Sequence, residues 1–152
     1  MAYEATNVAV PKSQESIRKL ILANGGTAIG FISQPPVEGF QAQVAIDGMT
    51  YSIRISATVK VKEKARRRRR YGMPPKNDDA DKATRRVWRV LYYHLKSVYE
   101  AANSGVMEFR ELMLPYIVTK DGRTIGQHIL PNLDQALAGK PERLLPAPKE
   151  EK

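Results

Sequence analysis

The most restrictive feature of this sequence is the alternation of apolar and polar residues on both sides of Asp47-Gly48. Asp-Gly favours a two-residue type I′ hairpin turn, in which both central residues adopt positive φ. Closing the chain at this turn aligns apolar residues in four cross-strand pairs: Ile46 with Met49, Val44 with Tyr51, Ala42 with Ile53 and Phe40 with Ile55. A slip of one residue would turn every side chain to the other face, so the sequence predicts one register.

The opposite face of this predicted hairpin is polar, slightly cationic and free of carboxylates. It carries Gln41, Gln43, Ser52, Arg54, Ser56, Thr58 and Lys60. The preceding segment, Thr27–Ser33, predicts a first strand, and Gln34–Gly39 predicts the turn that follows it. These elements form a three-stranded antiparallel β-meander. Its polar face is either an ordinary solvated surface or an extension of a binding surface.

Helical periodicity flanks the meander on both sides. Ile17, Leu20 and Ile21 recur at helical spacing, Ser13 is placed to cap the helix start, and Gly25-Gly26 ends the helix. Residues 80–102 predict a long second helix. Its apolar stripe consists of Ala83, Val87, Val90, Leu91, Leu95, Val98 and Ala102, widened by Trp88, Tyr92 and Tyr99. Aromatic residues on such a stripe favour core packing, with a dimer seam as the alternative.

The C-terminal third predicts a helical extension. Phe109, Leu112 and Met113 indicate a short helix, and Thr124 with Gln127 indicates a capping box before a last helix. Pro131 is expected to kink or split that helix. Residues 139–152 are rich in proline and charge, which predicts a disordered tail. The expected fold is one α+β domain over residues 1–138: a three-stranded antiparallel β-meander packed against a long helix, in α-β-β-β-α order.

Positive charge is concentrated in one short stretch, Lys60–Arg70, which we call the basic segment. Eight Lys and Arg side chains and one Glu give it a charge of +7, whereas the whole chain of 152 residues carries +9. Five consecutive arginines repel one another, and they are stable either solvated or bound to a polyanion. Tyr71-Gly72 and Pro74-Pro75 follow, so we expect a mobile basic loop at about residues 62–77.

This charge pattern predicts non-enzymatic binding of nucleic acid through phosphate contacts, with DNA favoured over RNA. Tyr71 is placed to stack on a base, and cations of the third strand and the long helix are expected to extend the surface. The predicted site residues are Lys60, Lys62, Lys64, Arg66, Arg67, Arg68, Arg69, Arg70, Tyr71, Arg54, Arg85, Arg86 and Arg89. Phosphate contacts carry no base-sequence information. A solvated loop, or an acidic protein partner, is the alternative.

The sequence offers no constellation for catalysis or cofactor binding. There are no cysteines, and His94 and His128 stand alone without a metal-ligand partner at helical spacing. Glu108 and Glu111 lie three residues apart and could bind Mg²⁺ together with Asp121, although a solvated surface is the simpler interpretation. We therefore predict no enzyme activity, no cofactor and no metal. No apolar run is long enough to cross a membrane.

Three segments carry a resemblance to a known family: YEATNVAVPKSQESIRKLI at the start, RRVWRVLYYHLKSVYEAANSGVMEFRELMLPYIV in the middle, and DGRTIGQHILP near the end. The chain resembles, from Tyr3 to Leu133, a family of small uncharacterised proteins of tailed bacteriophages and prophages. The resemblance implies a phage accessory protein in the cytoplasm of a bacterial host, and it supplies no catalytic residues. A phage-encoded inhibitor of a host machine and a virion assembly protein are the alternatives, and a homodimer is left open.

The predicted order of elements also resembles that of a double-stranded-RNA-binding domain, in topology alone. Such domains carry a lysine cluster in the first turn of their second helix. In this chain Asp78, Asp79 and Asp81 occupy that turn, and the cations precede them. No RNA-binding residue is therefore carried over from that resemblance.

Overall fold

A computed structural model describes residues 6–60, 71–72 and 77–139. The larger elements are α1 (Val10–Ala23), β1 (Ala28–Gln34), β2 (Val37–Ile46), β3 (Met49–Thr58) and α2 (Asn77–Asn103). The C-terminal extension contains α3 (Phe109–Met113), α4 (Ile125–Ile129) and α5 (Leu133–Leu137), with 3₁₀ turns at Leu114–Tyr116 and Leu130–Asn132. The predicted α+β class, with a three-stranded antiparallel meander and a long helix, is confirmed.

The hairpin forms in the predicted register. The sheet order is β1-β2-β3, and the four apolar pairs predicted across β2 and β3 all occur. Asp47 and Gly48 have φ values of 50° and 77°, as a type I′ turn requires. The outer face of the sheet, which points away from α1 and α2, carries Gln41, Gln43, Ser52 and Arg54.

The connection between β1 and β2 is shorter than predicted. Gln34 belongs to β1 and Val37, Glu38 and Gly39 belong to β2, so only Pro35-Pro36 separates the strands. Gly39 therefore lies inside β2 and not in the turn. A Cβ atom at this position would collide with the backbone of Ile55 and Ser56 in β3, so the close approach of the two strands requires glycine.

The core lies between the inner face of the sheet and the pair of helices α1 and α2. Trp88, Phe40, Ile17, Ile53 and Leu95 are all fully buried there. The Trp88 ring meets Phe31 edge to face at a centroid distance of 5.7 Å. Burying aromatic and aliphatic side chains on this scale supplies most of the favourable free energy of folding.

Two predicted positions in these helices are wrong. Ser13 is a fully buried residue inside α1 instead of its cap, because α1 begins at Val10 with Ala9 at the N-cap. Pro11 suits the first turn, since its φ is already helical and its missing N–H is not needed there. Val90 is 47% exposed instead of part of the buried stripe, because it lies beside the face of α2 that contacts the sheet.

The C-terminal extension contacts the free side of β3 in the middle of the strand. The N–H of Val118 donates to the carbonyl of Ser52 at 2.8 Å, and Ile117 forms a bridge with Ile53. The predicted capping box is confirmed, since the Thr124 and Gln127 side chains each bond the other residue's backbone N–H. Pro131 lies in the 3₁₀ turn that separates α4 from α5, so the predicted split is also confirmed.

Among the described residues, no helix combines the length and the apolar character that crossing a membrane demands. The predicted tail, residues 139–152, lies outside the described residues except for Gly139.

Candidate nucleic-acid interface

The basic segment begins where β3 ends. Lys60 is exposed and follows the last residue of β3 by two positions. The other predicted cations of the segment, and most of the predicted loop at 62–77, lie outside the described residues; these cations are Lys62, Lys64, Arg66, Arg67, Arg68, Arg69 and Arg70. Tyr71 is described, and its side chain is 68% exposed, as a base-stacking residue requires.

Arg86 of α2 lies beside the point where the basic segment leaves the sheet. Its Nη2 atom donates to the carbonyl oxygen of Lys60 at 3.5 Å, a long hydrogen bond. The part of α2 around Arg86 and the end of β3 are therefore adjacent, although Arg86 and Lys60 are 26 residues apart in sequence. The contact joins a helix cation to the first cation of the segment.

Arg85 and Arg89 lie on the same helix, and both are half-buried. Arg85 donates through Nε to the carbonyl oxygen of Thr6 at 3.4 Å. Arg89 lies over the rings of Tyr92 and Tyr93, at 5.1 and 4.9 Å, and donates to the Tyr93 hydroxyl at 3.1 Å. A guanidinium in contact with two aromatic rings is held in place. Both arginines therefore have structural contacts besides any role in binding.

Arg54 is separated from these helix cations by the sheet. It lies on the outer face, between Ile53 and Ile55, whose side chains are buried on the inner face. Its Nε donates to Oε1 of Gln41 at 3.1 Å, and its Nη2 donates to the carbonyl of Gly122 at 3.0 Å. Arg54 thus ties the C-terminal extension to the sheet. It does not join Arg86 and Lys60 in one surface.

One buried polar contact was not predicted from the sequence. Glu38 is 5% exposed, and its Oε2 accepts a hydrogen bond from Nε1 of Trp88 at 3.1 Å. Its Oε1 accepts from the hydroxyl of Ser33 at 2.9 Å. The placement of Glu38 in a predicted turn hid this role. An acidic residue alternating with Phe40 in the same strand was the available signal.

A second polar cluster joins Thr119, Asp121 and His128. Nε2 of the buried His128 lies 3.1 Å from Oγ1 of Thr119 and 3.0 Å from Oδ2 of Asp121, and Thr119 also donates to Oδ1 of Asp121. Hydrogen bonds from Thr119, from the N–H of Arg123 and from His128 lower the pKa of Asp121 to about 2. In a catalytic proton relay, the hydroxyl and the carboxylate contact different nitrogens of the histidine ring. Here both contact Nε2 of His128, so this cluster stabilises the turn around Asp121.

The carboxylates considered for Mg²⁺ are not assembled into a site. Glu108 and Glu111 line an open cleft of about 710 Å³, next to an ion pair of 2.7 Å between Arg110 and Asp47. Asp121 belongs to the His128 cluster instead. Within the described ranges, no group of three His, Asp or Glu side chains is placed to hold a metal ion.

Tyr99 lines the same cleft and is 4% exposed, with its ring stacked on Phe109 at 5.0 Å. Its hydroxyl is buried and has no hydrogen-bond partner. Burial raises the pKa of Tyr99 to about 12, because ionisation would place a charge in the protein interior. The group therefore stays a neutral phenol at physiological pH.

The chain matches no protein-family profile, and neither a curated protein nor a solved structure is similar to it. The resemblance to phage proteins therefore stays a prediction.

Proposed function

We propose that this protein binds nucleic acid without catalysing a reaction, through phosphate contacts made by the basic segment and by the neighbouring arginines of α2, Arg85, Arg86 and Arg89. The observation that carries the proposal is the charge of +7 in eleven residues, which nearly equals the +9 of the whole chain. Such a segment attracts a polyanion and provides no base-specific readout by itself.

The folded domain contributes an anchor for this segment. Lys60 is bound through its carbonyl to Arg86, so the segment starts from an ordered point between β3 and α2. Arg85 and Arg89 extend the cationic surface along α2. Tyr71, which directly follows the segment in sequence, adds an exposed ring suited to stacking on an unpaired base.

The remaining predicted cation, Arg54, is not part of the proposed interface. It lies on the outer face of the sheet, and both of its hydrogen bonds support the C-terminal extension. Replacing cations of the basic segment or of α2 should therefore weaken binding, whereas replacing Arg54 should not. DNA is the favoured nucleic acid, and a phage accessory role in the bacterial cytoplasm is the proposed setting.

A salt titration with charge-matched variants tests the proposal. The first variant replaces Arg66, Arg67, Arg68, Arg69 and Arg70 with Gln. The control removes the same charge elsewhere, by replacing Lys12, Arg18, Lys19, Lys96 and Lys120 with Gln. Fluorescence anisotropy measures the affinity of each protein for single- and double-stranded DNA and RNA at several salt concentrations.

The segment variant should lose most of its affinity, and the slope of log affinity against log salt should flatten by roughly one for each lost phosphate contact. The control variant should keep most of its affinity and most of its salt slope. Equal losses in the two variants would mean that net charge, and not this segment, determines binding. If the wild type binds none of the four nucleic acids, the proposal is wrong and an acidic protein partner becomes the better candidate.

A further inference from the structure

The two edges of the sheet differ. The edge of β3 is covered in part by the chain itself, because the N–H of Val118 donates to the carbonyl of Ser52 and Ile117 forms a bridge with Ile53. The edge of β1 has no such cover among the described residues, where β1 pairs with β2 alone. An open edge presents unpaired N–H and C=O groups and is a template for another strand.

Strand β1 also lacks the features that usually protect an open edge. Its sequence, AIGFISQ, contains no charged residue and no proline, and its pairing with β2 runs without a bulge from Ala28 to Gln34. Lysines, prolines and bulges are the common means by which natural proteins prevent edge pairing. The chain has a net charge of +9, yet none of its many cations lies in β1 to prevent edge pairing.

Gly30, in the middle of β1, has no role within the protomer that explains a glycine. Its φ is ordinary, and a Cβ atom built there would meet nothing within 4 Å. Glycine inside a strand costs stability, and it often marks the close approach of another backbone or a ligand. Gly30 also lines a shallow groove of about 400 Å³ on the outer face, with Ile32 and Gln41 among its other lining residues.

The ladder determines which groups of β1 point outward. The two-residue turn makes Ile46 and Met49 a hydrogen-bonded pair, so the even-numbered residues of β2 bond β3 and the odd-numbered ones bond β1. In the register of β1 with β2, Gly30 pairs with Gln41, so the backbone N–H and C=O groups of Gly30 point to β2. The N–H and C=O groups of Ile29, Phe31 and Ser33 therefore point to the open edge.

We propose that β1 pairs antiparallel with β1 of a second copy of this chain, which joins two meanders into one six-stranded sheet. The twofold axis passes beside Phe31, so that each Phe31 bonds its counterpart and Ile29 bonds Ser33 of the second copy. This pairing makes about six backbone hydrogen bonds. On the outer face it sets Gly30 opposite Ile32 of the second copy, where an isoleucine fills the space that glycine leaves.

A second copy fits this edge better than a charged partner does. Strand β1 itself carries no charged residue, and the Arg18 guanidinium that lies 5.3 Å from the Phe31 ring is paired with Glu15 at 3.7 Å. The basic segment starts after β3, and Lys60, its first residue, therefore follows the strand farthest from the proposed interface. Pairing through β1 does not require nucleic-acid binding.

Sedimentation equilibrium of the full chain at increasing concentration tests the proposal. The wild type should reach twice its monomer mass of 17.1 kDa. Gly30→Lys should raise the dimer dissociation constant at least about tenfold, since it sets a cation against Ile32 of the second copy. Thr50→Lys adds the same charge to the exposed outer side of β3 and should dimerise like the wild type. Circular dichroism checks that both variants fold.

The register has its own test, because the chain contains no cysteine. Chains carrying Gly30→Cys and chains carrying Ile32→Cys are unfolded together, refolded and oxidised. A disulfide should form mainly between the two kinds of chain, and much less within either kind alone. A monomeric wild type at all concentrations, a dimer insensitive to Gly30→Lys, or cross-linking without preference for the mixed pair would each overturn the proposal.

Discussion

Nε1 of Trp88 donates a hydrogen bond of 3.1 Å to Oε2 of Glu38, which joins α2 to β2 across the centre of the core. Both residues are buried, and the second carboxylate oxygen accepts from Ser33 at 2.9 Å. The Glu38 carboxylate therefore connects β1, β2 and α2 through hydrogen bonds. A buried carboxylate is costly unless its oxygens are bonded, so Glu38 and its donors depend on one another.

Glu38→Ala should lower the free energy of unfolding by about 2–3 kcal/mol, because it leaves the Trp88 N–H buried without an acceptor. Glu38→Gln keeps a carbonyl acceptor and should cost less. Urea unfolding followed by the fluorescence of Trp88, the single tryptophan, measures both. Glu111→Ala, at an exposed glutamate, serves as the control. A Glu38→Ala variant as stable as that control would contradict the structural role of this contact.

The meander was predictable because two independent signals agree. The period-two alternation selects a face for each residue, and the Asp47-Gly48 turn selects the register that joins those faces. Neither signal depends on distant parts of the chain. The capping box at Thr124 and Gln127 was predictable for the same reason, since both of its hydrogen bonds are local.

Glu38, Ser13 and Val90 were misassigned because their environments depend on tertiary contacts. Glu38 follows Pro35-Pro36, which indicates a turn, and only the packing of Trp88 makes a strand position there suitable for a carboxylate. Ser13 has the composition of a cap but is covered by the core. Val90 fits an apolar stripe whose buried width depends on what covers α2.

Ile53→Asp should destabilise the domain by about 4 kcal/mol or more, because it places an unpaired carboxylate at a fully buried position of the inner face. Thr50→Asp introduces the same group on the exposed face of the same strand and should change stability by about 0.5 kcal/mol or less. Thermal unfolding by circular dichroism compares the two. Equal melting temperatures would show that the assignment of the faces is wrong.

Arg86→Gln should weaken nucleic-acid binding more than Arg54→Gln, although each removes one positive charge. Arg86 contacts the carbonyl of Lys60 at the start of the basic segment, whereas Arg54 bonds Gln41 and Gly122 on the outer face. The salt slope should fall by at most about one for Arg86→Gln and should stay unchanged for Arg54→Gln. Anisotropy titrations measure both; an equal effect of the two substitutions would contradict the division of the cations.

The Asp121 cluster should make stability sensitive to acid. Its folded-state pKa of about 2 lies below the ordinary value of 3.8, so the carboxylate contributes stability above about pH 4 that is lost as the pH falls toward 2. Wild type should therefore be more stable than Asp121→Asn at pH 5, and the difference should shrink on acidification. Urea unfolding at several pH values measures this difference.

Thr119→Val provides the control for the origin of that shift. The Thr119 hydrogen bond is the largest cause of the low Asp121 pKa, so its loss should raise the pKa toward 3.8. A ¹³C NMR titration of the Asp121 carboxyl group reports the pKa directly. An unchanged pKa in Thr119→Val would mean that the carboxylate is stabilised by other groups.

Tyr99→Phe should retain or slightly increase stability at pH 7, by up to about 1 kcal/mol, because it removes a buried hydroxyl that has no partner. At high pH the gain should grow. The folded-state pKa of about 12 exceeds the ordinary 10.0, so wild type loses stability as the pH rises from 10 toward 12, when the unfolded chain ionises first. Unfolding of both proteins between pH 8 and 12 measures the difference, and a constant difference across that range would show that Tyr99 ionises as readily in the folded protein as in the unfolded chain.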